Sequence, residues 1–293
     1  MKLFVFGLSY TAQAFIRFKH AQWSRISGTV RHADKARQLQ LAGIQAYPLM
    51  EEFDASGLAA DIRSADALLV SAPPSNDGDP CLGRFREIIA SADNLRWIGY
   101  LSTTGIYGDH GGAWIDERTP PSPQSTRSVE RLAAEQDWRT FSRDAGKPVQ
   151  VFRLSGIYGP GRNPLVSLAQ GKAHRIVKPG QVFSRIHVDD IAAVLWASMQ
   201  RSRQGAVYNV ADDEPAPPQD VVTYAAHLAN VAPPPEVPYE TADLSPMARS
   251  FYAENKRVSN RLIKEELGVR LSYPTYREGL QALYEAGEYA PVA

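Results

Sequence analysis

Lys2-Leu3-Phe4-Val5-Phe6-Gly7-Leu8-Ser9-Tyr10-Thr11-Ala12 opens the chain, and its reading decides the fold. A short apolar run cut off at once by a glycine suits a strand buried on both faces of a parallel sheet. The residues from Thr11 to Ala21 then place Ala12, Phe15 and Ile16 on one side of a helix, with Trp23 nearby. Gly7, Ser9 and Ala12 fall on a G-x-G-x-x-G template with serine at its second position and alanine at its third. Alanine fits there, because that position needs only a small residue for helix–strand packing. Ser9 puts a side chain where backbone would approach a pyrophosphate. A helix N-terminus directly after a strand also offers unpaired N–H groups to a diphosphate. Two readings stand: a dinucleotide-binding turn, or a tight strand–helix turn with no ligand.

Working outward, further strands are expected at Ile26–Val30, Ile44–Tyr47, Ala67–Val70, Trp97–Leu101 and Val149–Leu154. Helices are expected at Asp34–Ala42, Cys81–Ala92 and Val129–Ala145. The alternation predicts an α/β protein with a doubly wound parallel sheet of Rossmann type and right-handed crossovers. Past Gly161 the pattern loosens around two proline clusters, Pro215, Pro217, Pro218 and Pro233, Pro234, Pro235, which flank a helix at Gln219–Asn230. The expected division is a Rossmann domain over 1–160, with a strand returning near 206–211. A smaller, discontinuous C-terminal lobe takes 161–205 and 212–293.

Composition narrows the function. With 44% hydrophobic and 22% charged residues, a packed globular core is expected rather than disorder. The 32 Lys+Arg balance 32 Asp+Glu, which argues against a nucleic-acid partner held by a basic surface. The one cysteine, Cys81, excludes an intramolecular disulfide and a thiolate zinc site. No apolar run reaches the roughly 20 residues of a bilayer span, so no membrane partner is expected and a cytoplasmic location is.

At the end of the second strand, a cofactor with a free ribose 2′-OH usually meets an acid, and a 2′-phosphate an arginine. Here Arg31 holds the position, with Lys35 one turn on. A guanidinium can grip a phosphate with two hydrogen bonds, so NADP(H) is expected over NAD(H). Otherwise these are solvated surface cations.

Four later segments resemble the extended short-chain dehydrogenase/reductases, the NAD-dependent epimerase/dehydratase group. Ser102-Thr103-Thr104-Gly105-Ile106-Tyr107-Gly108 is similar to their S-[ST]-x-x-[VI]-Y-G. Arg153-Leu154-Ser155-Gly156-Ile157-Tyr158-Gly159-Pro160-Gly161 resembles R-x-x-x-[VI]-Y-G-P-G. His187-Val188-Asp189-Asp190-Ile191-Ala192 and Tyr208-Asn209-Val210-Ala211 resemble H-V-x-D-[LIV]-A and Y-N-[VI]-[AG]. The resemblance implies a Rossmann domain with a substrate lobe, and a cofactor-binding set of Gly7, Ser9, Tyr10, Thr11, Ala12, Arg31, Lys35, Ser71, Ala72 and Arg131.

The family's Tyr-x-x-x-Lys pair is where the chain departs. Aligning Leu132-Ala133-Ala134-Glu135 with the family's ending puts Arg127 at the tyrosine and Arg131 at the lysine. Arginine keeps its proton up to about pH 12 and cannot serve as the acid/base. Arg131 can still hydrogen-bond a nicotinamide ribose, as the lysine does. Thr103 matches the hydroxyl that helps hold a substrate carbonyl, or caps its loop. Tyr107 and Tyr158 are the substitute proton donors, although both positions are chiefly structural in the family.

Arg127, Tyr158 and Arg185 are the expected contacts to an anionic small-molecule substrate, the two helix arginines lying four apart on one face. Arg185 stands two residues before His187, whereas the family's diphosphate-binding arginine stands four before, at Phe183 here. His187, Asp189 and Asp190 are expected to form a structural hydrogen-bond cluster joining the lobes, not a metal site. Two classes of function remain: an NADP(H)-dependent oxidoreductase, epimerase or dehydratase with altered acid/base residues, or a non-catalytic NADP(H)-binding sensor or interaction module.

Overall fold

The structure is a computed structural model and describes residues 1–290. In chain order it begins β1 Lys2–Phe6, α1 Tyr10–Phe18, β2 Arg25–Val30, α2 Ala33–Leu41, β3 Gln45–Pro48, α3 Ala55–Ser64, β4 Ala67–Val70, α4 Pro80–Ala90 and β5 Trp97–Thr103. The middle comprises β6 Trp114–Ile115, α5 Thr126–Ala145, β7 Val149–Leu154, β8 Gly156–Tyr158, α6 Pro164–Ala169, β9 Arg175–Val177, β10 Arg185–His187, α7 Val188–Gln200 and β11 Val207–Val210. Then follow α8 Pro218–Leu228, β12 Glu236–Pro238, α9 Pro246–Tyr252, β13 Arg257–Val258, α10 Arg261–Glu265 and α11 Tyr276–Glu285.

Seven strands form one sheet in the order β11-β7-β5-β4-β1-β2-β3. The strand pairs β1–β2, β1–β4, β2–β3 and β4–β5 all run parallel. This is the doubly wound α/β sheet the alternation predicts. The chain winds outward from β1 to β3 and restarts at β4 on the other side of β1. The β1/β4 boundary is therefore the switch point, where the crevice of such sheets opens at the carboxyl ends of the strands.

The chain divides into two compact units. The first comprises 1–103, 126–153 and 192–208. Its core joins Phe4, Leu68 and Ile98 from the sheet to Leu58, Phe85 and Trp138 from helices. Residues 192–208 group here because α7 is tied in by Trp97 Nε1, which donates to Ser198 Oγ at 3.1 Å, and by a Trp23–Trp196 edge contact. α3 is an element that apolar periodicity did not signal; only Leu58, Asp61 and Ile62 of its ten residues are buried.

The second unit comprises 104–125, 154–191 and 209–293. Residues 104–125 fall inside the stretch expected as Rossmann domain, yet their partners lie elsewhere. β6 pairs with β13, Lys256 Nζ donates to Gly108 O at 2.7 Å, and Glu117 accepts the Asn209 amide at 2.8 Å. A core of Leu165, Val221, Ala225, Tyr276 and Leu280 holds α6, α8 and α11 together.

Candidate functional site

In the first unit the turn after β1 is geometrically demanding. Gly7 has φ +89°, and a Cβ there would stand 2.9 Å from the Ala72 backbone nitrogen. Only glycine tolerates both conditions. The Ser71 and Ala72 amides both donate to Phe6 O, at 2.9 and 3.1 Å, so the residues after β4 wrap the end of β1. Ser9 caps α1, its hydroxyl accepting from the Ala12 amide, and it also bonds Ser71 Oγ at 2.5 Å. The serine at the template's second glycine position thus has a structural use: it fixes the helix start and links it to β4. Thr11 and Ala12 are buried, while Tyr10 is half-buried.

At the end of β2, Arg31 and Lys35 are exposed, and neither side chain makes a hydrogen bond or ion pair among the described residues. The Thr29 hydroxyl accepts the Gly7 amide at 2.9 Å, which locks β2 to the glycine turn.

The start of α5 carries the two arginines in different settings. Arg127 is exposed and unpaired among the described residues. Arg131 Nη1 donates to Leu101 O at 2.8 Å and Tyr100 Oη at 3.3 Å, with its guanidinium over the Tyr100 ring. Arg131 is therefore anchored beside the end of β5, the strand that closes on half-buried Thr103. One turn further on, Glu135 is 2% and Arg153 5% exposed in their side chains, and the two pair at 2.8 Å. Ser102 donates to the same carboxylate. Motif residues from three segments thus form one buried network that sequence reading left unjoined; only their ordered recurrence could have signalled it.

The remaining singled-out residues lie in the second unit. Tyr107 is fully buried and donates its hydroxyl to Asn209 Oδ1 at 2.8 Å. Tyr158 is buried, donates to Thr275 O at 3.4 Å and meets the His187 ring edge-on. Burial pushes the Tyr158 hydroxyl well above its ordinary range, and nearby Asp212 adds to the shift. A hydroxyl so placed is a poor proton donor at neutral pH. Arg185 spends Nη1 on Phe183 O at 2.8 Å and Ala216 O at 3.1 Å. Burial lowers its pKa, against the opposing pull of Asp212. Phe183, at the family's arginine position, packs edge-on against Tyr252.

His187 is buried, which lowers its pKa, and its Nδ1 accepts the Asp189 amide at 3.2 Å. Asp190 accepts the Ser272 and Tyr273 amides at 2.7 and 3.0 Å. Both are hydrogen-bonding roles inside the second unit. Sequence reading missed Asp212, 1% exposed, whose carboxyl is pushed up to about 8 by burial despite Arg185. It directly follows the Tyr208-Asn209-Val210-Ala211 segment, and nothing in its spacing marked it as buried.

Residues 87–211 match the NAD dependent epimerase/dehydratase family. Protein YeeZ of Escherichia coli (strain K12) is 28% identical over 286 residues, which cover 93% of this chain and 96% of that one. A functionally unknown conserved protein from Silicibacter pomeroyi DSS superposes with a TM-score of 0.87 at 51% identity, covering 98% of this chain and 99% of its own. The dTDP-glucose 4,6-dehydratase of Bacillus anthracis, solved in complex with NAD, gives a TM-score of 0.77 at 17% identity over 98% of each chain. That last likeness is one of fold. No helix among the described residues is long and apolar enough to cross a membrane.

Proposed function

Because the chain belongs to the NAD-dependent epimerase/dehydratase family, we propose that it binds NADP(H) where β1 and β4 end, and that it is an atypical member whose tyrosine–lysine pair is replaced by Arg127 and Arg131. The observation that carries this reading is the Gly7 turn. Its positive φ and its closeness to Ala72 exclude a side chain there, as a turn that brings backbone and a capped helix start to a pyrophosphate requires. The fit extends to Arg31, exposed and unpaired at the end of β2, where a 2′-phosphate would be gripped. The Bacillus anthracis relative of the same fold carries NAD. Gly7, Ser9, Tyr10, Thr11, Ala12, Ser71 and Ala72 would hold the pyrophosphate end, Arg31 and Lys35 the 2′-phosphate, and Arg131 a ribose hydroxyl. Bound there, the nicotinamide supplies or accepts a hydride.

The chain's own contribution to turnover is less conventional. Arg131, fixed to Leu101 O, is a positioned cation on β5, the strand that ends at Thr103. Arg127, exposed and unpaired among the described residues, is a cation suited to the carboxylate or phosphate of an anionic small molecule. Arginine is not a proton-donor residue type for such a step. An oxidoreductase or epimerase/dehydratase role therefore needs its proton from water or from the substrate itself, with Thr103 holding the carbonyl. The buried, engaged hydroxyls of Tyr107 and Tyr158 favour a second reading, a cofactor-binding sensor without turnover. A lone buried cysteine, Cys81, fits a cytoplasmic setting for either.

NADPH oxidation by the wild type and by Arg127→Tyr/Arg131→Lys, with a panel of ketones and aldehydes, separates the two readings. Little or no wild-type rate, raised by the double change, supports a member that lost its acid. A proton step by a placed acid is typically worth about 10²–10⁴-fold. Robust wild-type turnover that is lost in Tyr107→Phe or Tyr158→Phe overturns the assignment of those tyrosines to structure.

A further inference from the structure

α2 begins without a side-chain cap of its own: His32 stands at the N-cap and makes no capping bond. The missing partner comes from another segment. Glu51, just past β3, accepts the Ala33 amide on Oε1 at 2.7 Å, and the same oxygen lies 3.7 Å from His32 Nδ1. The backbone brings it there: the Leu49 amide donates to Val30 O at 2.9 Å and the Met50 amide to Arg31 O at 3.1 Å. Residues 49–51 thus run along the end of β2, and the Glu51 carboxylate sits on the amide of Ala33, two residues after Arg31.

Resting on the cofactor reading above, we propose that Glu51 is a specificity-determining residue of the nucleotide site, an internal anion that competes with a 2′-phosphate for the α2 N-terminus and for Arg31. Two properties follow from charge alone. With its carboxylate held on the Ala33 amide, two residues after Arg31, Glu51 would repel a phosphate gripped by Arg31, and entry of the phosphate would favour this side chain turning outward. A 2′-hydroxyl meets no such repulsion and can donate to the same carboxylate. Glu51 therefore narrows the preference for NADP(H) that Arg31 creates. The side chain is about half exposed, at 45%, and the pair it makes with His32 is loose, so turning it outward breaks one hydrogen bond, that from the Ala33 amide. Its neighbour Glu52 is equally acidic and exposed but makes no hydrogen bond or ion pair among the described residues.

The test compares dissociation constants for NADPH and NADH, by calorimetry at one ionic strength, in wild type, Glu51→Gln and Glu52→Gln. Thermal melts confirm that each variant is folded. Glu51→Gln is expected to raise the ratio of NADPH to NADH affinity about tenfold, the scale of one charged contact, while Glu52→Gln leaves it unchanged. A wild type that binds both nucleotides, with the ratio unmoved in Glu51→Gln or moved equally in Glu52→Gln, overturns the role of Glu51 and leaves the cofactor reading standing. A wild type that binds neither nucleotide overturns the cofactor reading and this inference with it.

Discussion

The residues singled out in the first unit and those in the second meet opposite fates. Arg31, Lys35 and Arg127 of the first unit are exposed with no hydrogen-bond or ion-pair partner among the described residues, and Gly7 and Ser9 shape a turn at the end of a strand. Tyr107, Tyr158 and Arg185 of the second unit spend their polar groups on Asn209, Thr275 and the carbonyls of Phe183 and Ala216. Residues that look alike in a motif thus differ in availability. An unpaired cation at a strand end can meet a ligand without losing a protein bond, whereas a buried, bonded hydroxyl must first break one.

The largest effect expected lies in the scaffold beneath the accessible residues. Glu135→Ala leaves Arg153 buried without its carboxylate and should cost about 3–5 kcal/mol in urea unfolding. A loss under 1 kcal/mol would mean that α5 is not fastened to the sheet by this pair.

The second unit makes its own test through pH. The Asp212 carboxyl sits at about 8 in the folded protein, chiefly through burial, against about 3.9 unfolded. Between those values the native state holds a proton that the unfolded chain has lost. The stability this group contributes is present below about pH 4 and drains away as pH rises toward 8, by on the order of a few kcal/mol. Asp212→Asn should flatten that slope and be the more stable protein at pH 8, as read from urea midpoints at pH 5 and 8. An identical slope in both would place Asp212 in contact with water.

In the first unit, Gly7→Ala forces a side chain into a left-handed backbone, roughly 1–2 kcal/mol, and against the Ala72 nitrogen. A lower melting temperature is expected together with weaker NADPH binding. Unchanged binding would move the pyrophosphate away from this turn. Arg31→Ala should cost roughly 1.5–3 kcal/mol of NADPH affinity, about 10–150-fold, and little of NADH affinity. At the small end, Arg127→Ala should stay within ~0.5 kcal/mol of wild-type stability, because the side chain is exposed and unpaired. A large loss would contradict its availability to a ligand.

Much of this fold is legible in the sequence where burial is two-sided. β1 and β4 have the bounds expected for them, because nearly unbroken apolar runs leave little freedom in register, and β7 does too although Gln150 and Arg153 interrupt its apolar run. α3 escaped because its apolar face is small, and α7 because its first residues read as a motif rather than as a helix. The grouping of 104–125 with the second unit is set by β6–β13 pairing and by Lys256, partners more than a hundred residues away. The site divides in the same way. Gly7, Ser9 and Arg31 could be named because local sequence dictates their backbone. Glu51 and Asp212 could not, since what matters about them is where a distant segment brings them.

We propose that the first unit keeps a nucleotide site tuned toward a 2′-phosphate while the usual proton donor has gone. The most direct test is calorimetric titration of the wild-type protein with NADPH and with NADH under identical buffer conditions. NADPH is expected to bind about tenfold or more tightly than NADH, the scale of the Arg31 contact. Equal affinities, or tighter binding of NADH, would contradict it.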